Sequence, residues 1–208
     1  MFIFTVFRWI MRVIGIAVAA ALVFVIVCAV QIATTSQLSG APSSVGPAQG
    51  IVVMGGPIVG MQPSSDLLGR LRQALLLYQT HRAPIIVVTG PPNAVGLPSI
   101  TSIELSWLRR NGVPKTALES APVTGVTQSL LQASGLFSAG AHTIIVTDAV
   151  DALYDRSAAA NLGLNAQISP AVGSNRAFFT EFESLFREAT ALAAGRIFGY
   201  PRISWAAG

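Results

Sequence analysis

The segment Gly50–Gly56 reads GIVVMGG, and two later runs share its character: Pro84–Thr89 is PIIVVT and Thr143–Thr147 is TIIVT. Each run, Ile51–Met54 in the first case, is rich in β-branched residues and uniformly apolar rather than alternating. That is the pattern of a strand covered on both faces in a parallel sheet. Helical patterns lie between them. Ser65–His81 spaces Leu67, Leu68, Leu71, Ala74, Leu75 and Tyr78 at three- and four-residue steps. Thr101–Asn111 opens with Thr101-x-x-Glu104, which reads as a capping box, and stops at Gly112 with Pro114 beyond. Further helices are expected over 125–136 and 150–162, with weaker strands at Ala117–Ser120 and Ala166–Ser169. A last helix behind an N-cap at Ser174 would bury Phe178, Phe182, Leu185, Phe186, Ala189 and Leu192. Strand–helix alternation of this kind predicts an α/β fold, a mostly parallel, doubly wound sheet with helices on both faces.

Only 11% of the 208 residues are charged, against about a quarter in an ordinary soluble domain. Val13–Ala33, VIGIAVAAALVFVIVCAVQIA, has no charge, and as a helix it reaches about 31 Å, enough to cross a hydrocarbon core of about 30 Å. Arg8 and Arg12 flank its start, and no Lys or Arg follows until Arg70. The positive-inside rule puts residues 1–12 in the cytoplasm and everything beyond Ala33 outside it, in a plasma (inner) membrane protein. The apolar core exceeds that of a cleaved signal peptide, and QIATTSQ is a poor cleavage site, so an uncleaved anchor is favoured. Residues 34–49, TTSQLSGAPSSVGPAQ, read as a flexible linker, 50–200 as the folded domain and 201–208 as a tail.

Removing Arg8 and Arg12 leaves 11 basic against 9 acidic residues, with Arg109-Arg110 the sole adjacent basic pair. No basic stripe suits nucleic acid. One cysteine, Cys28, excludes an internal disulfide framework and any cysteine zinc site.

In such sheets ligands bind beyond the carboxyl ends of the strands. His81 and His142 both precede strands and so fall at the opposite edge, which argues against serine-hydrolase and histidine acid–base mechanisms. Gly55-Gly56 resembles phosphate-cradling loops but is neither GxGxxG nor a Walker loop, and a tight strand–helix turn explains it as well. Glu104, Glu119, Asp148, Asp151 and Asp155 against Arg70 and Arg156 make the carboxyl edge acidic. Such carboxylates suit acid–base work or a hard cation, and equally the structural task of anions at helix N-termini. No metal site is assigned, and the cofactor stays open.

The order of motifs from Gly50 to Gly199 resembles the YdcF-like, SanA-like and ElyC-like domains. The marks are IVVMGG, Arg70-Leu71 through Tyr78, AP-IIVVTG at Ala83–Gly90, Ser102-x-Glu104, the GVP turn at Gly112–Pro114, VTD at Val146–Asp148 and Arg187-Glu188. The resemblance implies a Rossmann-like three-layer α/β/α fold and a role in envelope or peptidoglycan maintenance. The single N-terminal span is most similar to the SanA-like arrangement. Gly55, Gly56, Arg70, Ser102, Glu104, Asp148 and Glu188 match position by position. The family's His and Arg after VTD fall on Asp151 and Tyr154, and its Thr-x-Glu-Asn falls on Val126-Thr127-Gln128-Ser129. These departures reverse the local charge and disfavour phosphate.

The expected site therefore has Glu104, Asp148 and Asp151 as catalytic candidates and Gly55, Gly56, Arg70, Gly90 and Ser102 as ligand-binding candidates. Three functions compete. The first is a tethered envelope binding or scaffolding module with a degenerate site. The second is a hydrolase or transferase acting on a lipid-linked envelope precursor, and the third a nucleotide- or cofactor-binding domain. The expected partners are the bilayer through 13–33 and envelope precursors or envelope proteins.

Overall fold

The first apolar run becomes the central strand. The computed structural model describes residues 44–92 and 98–171, together with Arg12, Ile16, Ala19, Ala20, Val23, Phe24, Ile26 and Val27. Strand β1 (Gly50–Val53) pairs in parallel with β4 (Ile86–Gly90) on one side and β6 (Thr143–Asp148) on the other, placing Ile51 opposite both Ile86 and Ile144. Beyond β4 lies β5 (Leu118–Pro122), and beyond β6 lies β7 (Ala166–Ala171), giving the order β5-β4-β1-β6-β7. Every pairing in this five-stranded sheet is parallel, so each connection crosses over a face through a helix.

Although the three inner strands β1, β4 and β6 are buried throughout, their residues divide between two cores. Ile51, Val53, Ile86, Val88, Ile144 and Val146 pack with Leu67, Leu71, Ala74 and Leu77 of α1 (Ser65–Gln79) and Leu108 of α2 (Ile100–Arg110). Val52, Met54, Val87 and Ile145 pack on the other face with Leu130 and Ala133 of α3 (Val126–Ser134) and Tyr154 and Ala158 of α4 (Ala152–Asn161). The period of two along each strand thus separates the layers of an α/β/α, Rossmann-like architecture. Chain order reverses on either side of β1, so the crevice between β1 and β6 is the topological switch point.

Local chemistry sets the ends. Ser64, extended, accepts a hydrogen bond from the Leu67 amide and caps α1. Helix α1 closes at Thr80, whose hydroxyl donates to the Leu76 and Leu77 carbonyls, with His81 in the left-handed region at φ 57°. Helix α2 starts earlier than the Thr101 capping box predicts. Ser99 is the N-cap, its Oγ accepting from the Ser102 amide at 3.0 Å, so Glu104 is too far along the helix to close a box. The loop Gly55–Ser65 contains an unforeseen small antiparallel hairpin, β2 (Ile58–Val59) with β3 (Gln62–Pro63).

The end of the expected linker belongs to the domain: Val45 is buried, and the Ala48 and Gln49 amides donate to the Arg82 and His142 carbonyls at the amino edge of the sheet. Most of the Val13–Ala33 span, residues 34–43, the expected last helix and the tail lie outside the described residues. Among the described residues no helix is long and apolar enough to cross a membrane. The eight N-terminal positions are helical; Ile16, Val23, Ile26 and Val27 are exposed, while Phe24 rests against the α3–α4 core.

Where β1 ends, the backbone passes so close to β4 that a Cβ at position 55 would collide with the Thr89 carbonyl oxygen. The approach is fixed by Thr89 Oγ1, which accepts from the Gly55 amide at 3.2 Å and donates to the Val53 carbonyl at 3.1 Å. Gly55→Ala must push two buried strands apart. Denaturant unfolding of the full chain is expected to show a loss of at least about 2 kcal/mol, and an unchanged midpoint would contradict the packing described.

Candidate functional site

The carboxyl edge of the sheet opens into a cavity of about 450 Å³. Its walls come from the ends of β1, β4 and β6, the loop into α3, and the first turns of α2 and α4. Gly125 caps α3 at φ 90°, a backbone setting that only glycine adopts without strain, and this turns the chain around the cavity rim.

Arg70 projects from the sheet-facing stripe of α1 and is 5% exposed. Its guanidinium grips Asp148, the last residue of β6, with two hydrogen bonds: Nε to Oδ1 at 3.0 Å and Nη2 to Oδ2 at 2.8 Å. Nη2 also donates to Asp151 Oδ2 at 3.1 Å. Nη1 donates to the Met54 and Gly55 carbonyls at 3.0 and 2.7 Å. A guanidinium has five N–H donors, and these five bonds use them all. Burial opposes the charge, but the hydrogen bonds and charge of Asp148, then the charges of Asp151 and Asp155, hold the Arg70 pKa above its ordinary value. One side chain thus ties α1, β1, β6 and the start of α4 together across the switch point.

Two further carboxyls are kept short of hydrogen bonds. Asp155 lies one turn beyond Asp151 on α4 and lines the cavity. Burial pushes its pKa up to about 7, reinforced by the Asp151 charge; the neighbouring Thr147 hydroxyl and Arg70 pull the other way. Asp155 Oδ1 and Thr147 Oγ1 nevertheless have no hydrogen bond of normal geometry among the described residues. Glu104 is fully buried in α2 with neither oxygen hydrogen-bonded among the described residues, and burial raises its pKa well above the carboxylate range against the pull of Arg70.

Of the residues expected from sequence, Gly55, Gly56, Arg70, Gly90 and Asp151 meet around the cavity. Asp148 stands behind Arg70, and Glu104 and Ser102 do not line the cavity. The Ser102 hydroxyl donates to the Ser99 carbonyl at the start of its own helix. Gly55 and Gly56 make close contacts: the Gly55 amide is taken by Thr89, and Gly56 faces Leu67. Glu119 and Arg156 are exposed and do not line the cavity. Neither histidine lines it; His142 Nδ1 meets the Pro47 carbonyl at 2.8 Å. Among the described residues no three His, Cys, Asp or Glu side chains are grouped to hold a metal ion.

Asp155 was read from the sequence as one of the acidic residues at the carboxyl edge but not as a site residue, and Thr147 was not singled out. The signal for Asp155 was its four-residue spacing from Asp151, which puts two like charges on one helix face, an unfavourable pairing in water.

Removing the Arg70 fork leaves buried carboxylates uncompensated. Arg70→Met is expected to cost about 3–5 kcal/mol, and adding Asp148→Leu to recover most of the loss; a cost below about 1 kcal/mol would contradict a buried, saturated fork. The raised carboxyls act with a defined sign. Because folding raises the pKa of Asp155 and Glu104, the folded chain binds more protons than the unfolded one above pH 4. The stabilisation from Asp155 is complete below that range and declines as pH rises through about 7, by up to about 1.4 kcal/mol per pH unit; that from Glu104 declines with the same sign above the ordinary carboxylate range. The melting temperature is expected to fall between pH 5 and 8, with a shallower fall in Asp155→Asn. A rise over that interval would contradict the burial of neutral acids.

In comparisons with known proteins, no family model, curated protein or solved structure matches this chain.

Proposed function

We propose that this chain is a YdcF/SanA-like binding or scaffolding module of a bacterial cell envelope, with a degenerate family site. Residues 13–33 would hold it in the plasma membrane, with the N-terminus cytoplasmic and the α/β domain extracytoplasmic. The observation carrying the binding reading is the saturation of Arg70. A phosphate-handling site needs donors aimed into the pocket, and Arg70, the sole Lys or Arg lining the cavity among the described residues, gives all of its donors to the protein. The enzyme reading through Glu104 and Asp148 is weaker, because neither faces the cavity and Asp148 is committed to the fork. The nucleotide reading is weakened further by Thr89, which occupies the Gly55 amide. Anchoring rests on the uncharged stretch behind Arg8 and Arg12.

Two measurements test this reading. A periplasm-only reporter fused after Gly208 should be active, whereas activity of a cytoplasm-only reporter would overturn the topology. Inorganic phosphate titrated into the full chain in detergent should produce no saturable binding. Saturable binding abolished by Arg70→Lys would return the site to phosphate chemistry.

A further inference from the structure

The β2–β3 hairpin carries, at its tip, the two most exposed large apolar side chains among the described residues of the domain, Val59 at 72% and Met61 at 70%. Its base is fixed: Ile58 packs on the α1–α2 core, β3 rests against α1 and α2, and the Ser64 amide donates to the Pro57 carbonyl at 3.2 Å. Gly60, at φ 64°, opens the two-residue turn, where this kind of hairpin requires glycine. A Cβ on Gly60 would meet nothing within 4 Å, so the tip stands clear of the rest of the fold. Single exposed apolar residues are ordinary, but a firmly based, projecting pair marks a contact surface.

A bilayer is the partner that fits this tip. From Val13 through Ser65 the chain has no Asp, Glu, Lys, Arg or His, so inserting the tip carries no charge out of water. Every exposed charged residue of α1 and α2, the helices on which the hairpin rests, is an arginine: Arg72, Arg109 and Arg110. Such a layer complements an anionic lipid surface. The tether also reaches. Residues 34–43 separate the apolar stretch from Ser44, and ten extended residues span at most about 35 Å. Val45 packs on the same core as Ile58, and α1, whose 15 residues run between the two edges of the sheet, is about 22 Å long.

We infer that the Val59–Met61 tip inserts into the headgroup–acyl boundary of the membrane that holds residues 13–33, as a second attachment that orients the domain. The inference rests on the anchored-module reading and deepens it. Gly56 and Pro57, at the base of the hairpin, also line the cavity. The inserted tip therefore turns the cavity mouth toward the lipid headgroups, where a module reading membrane-borne molecules has to face.

The test is fluorescence quenching of the full chain in nanodiscs of phosphatidylcholine and phosphatidylglycerol, with one cysteine-attached label per protein. Native Cys28 reports the anchor. Met61→Cys and Ala139→Cys, each combined with Cys28→Ser, report the tip and an exposed site at the opposite edge of the sheet. Nitroxide-bearing lipids should quench the labels at 28 and 61, the latter at about 5–10 Å into the headgroup–acyl boundary. Aqueous iodide alone should quench the label at 139. With the label moved to Gln62→Cys, Val59→Asp with Met61→Asp should abolish lipid quenching and leave the melting temperature unchanged, since both side chains are exposed. A label at 61 as open to iodide as that at 139 overturns the inference, while lipid quenching of Cys28 leaves the anchor standing. Shielding of 61 from iodide without lipid quenching means that a second copy covers the tip, and overturns it too, as does lipid quenching that persists in the double aspartate variant. Iodide quenching of Cys28 overturns the anchored-module reading together with the inference.

Discussion

A single guanidinium holds the carboxyl edge of this domain together. In an open parallel sheet the strands diverge at the switch point, leaving a crevice where ligands commonly sit. Here Arg70 fills the back of that crevice, bonded to two backbone carbonyls after β1 and to carboxylates at the end of β6 and the start of α4. Arginine suits this task because its planar fork matches a carboxylate bidentately while its remaining donors reach sideways, a geometry lysine cannot reproduce. The close approach at Gly55 follows from the same arrangement: with the loop held down by Arg70 and Thr89, there is no room for a side chain.

Electrostatics around the fork then divide the acidic residues by task. Asp148 and Asp151 are ionic partners of Arg70, and Glu104 and Asp155 are buried acids whose neutral forms are favoured. Four carboxyls near one edge therefore do not create an equally strong negative field. Glu104 is isolated from the cavity, whereas Asp155 shares it with Asp151 and Thr147, and among the described residues the one Lys or Arg lining it, Arg70, has its donors taken by the protein.

The inner sheet was legible because β1, β4 and β6 are covered on both faces, leaving uninterrupted β-branched runs bordered by helices with clear three- and four-residue spacing. The hairpin at Ile58–Pro63 was not, since two-residue strands leave no periodicity. The start of α2 was misplaced because Ser99 and Thr101 both offer a capping hydroxyl, and the choice depends on the backbone conformation at Ser99. Within the site, the glycines pointed to the correct edge, but their spacing could not distinguish phosphate binding from close strand contact. Arg70 was readable in principle, since it shares the helix stripe of Leu67, Leu71 and Ala74, where a charge demands a buried partner. Its partners lie 78 and 81 residues away in sequence, so only the folded chain identifies them.

The most direct measurement of this account is nuclear magnetic resonance of the Arg70 side chain in the full chain. A guanidinium with all five protons held should give separate, slowly exchanging N–H signals that do not move when inorganic phosphate is added. Averaged, rapidly exchanging signals, or a shift on phosphate addition, would show that the fork is open to ligand and contradict the account.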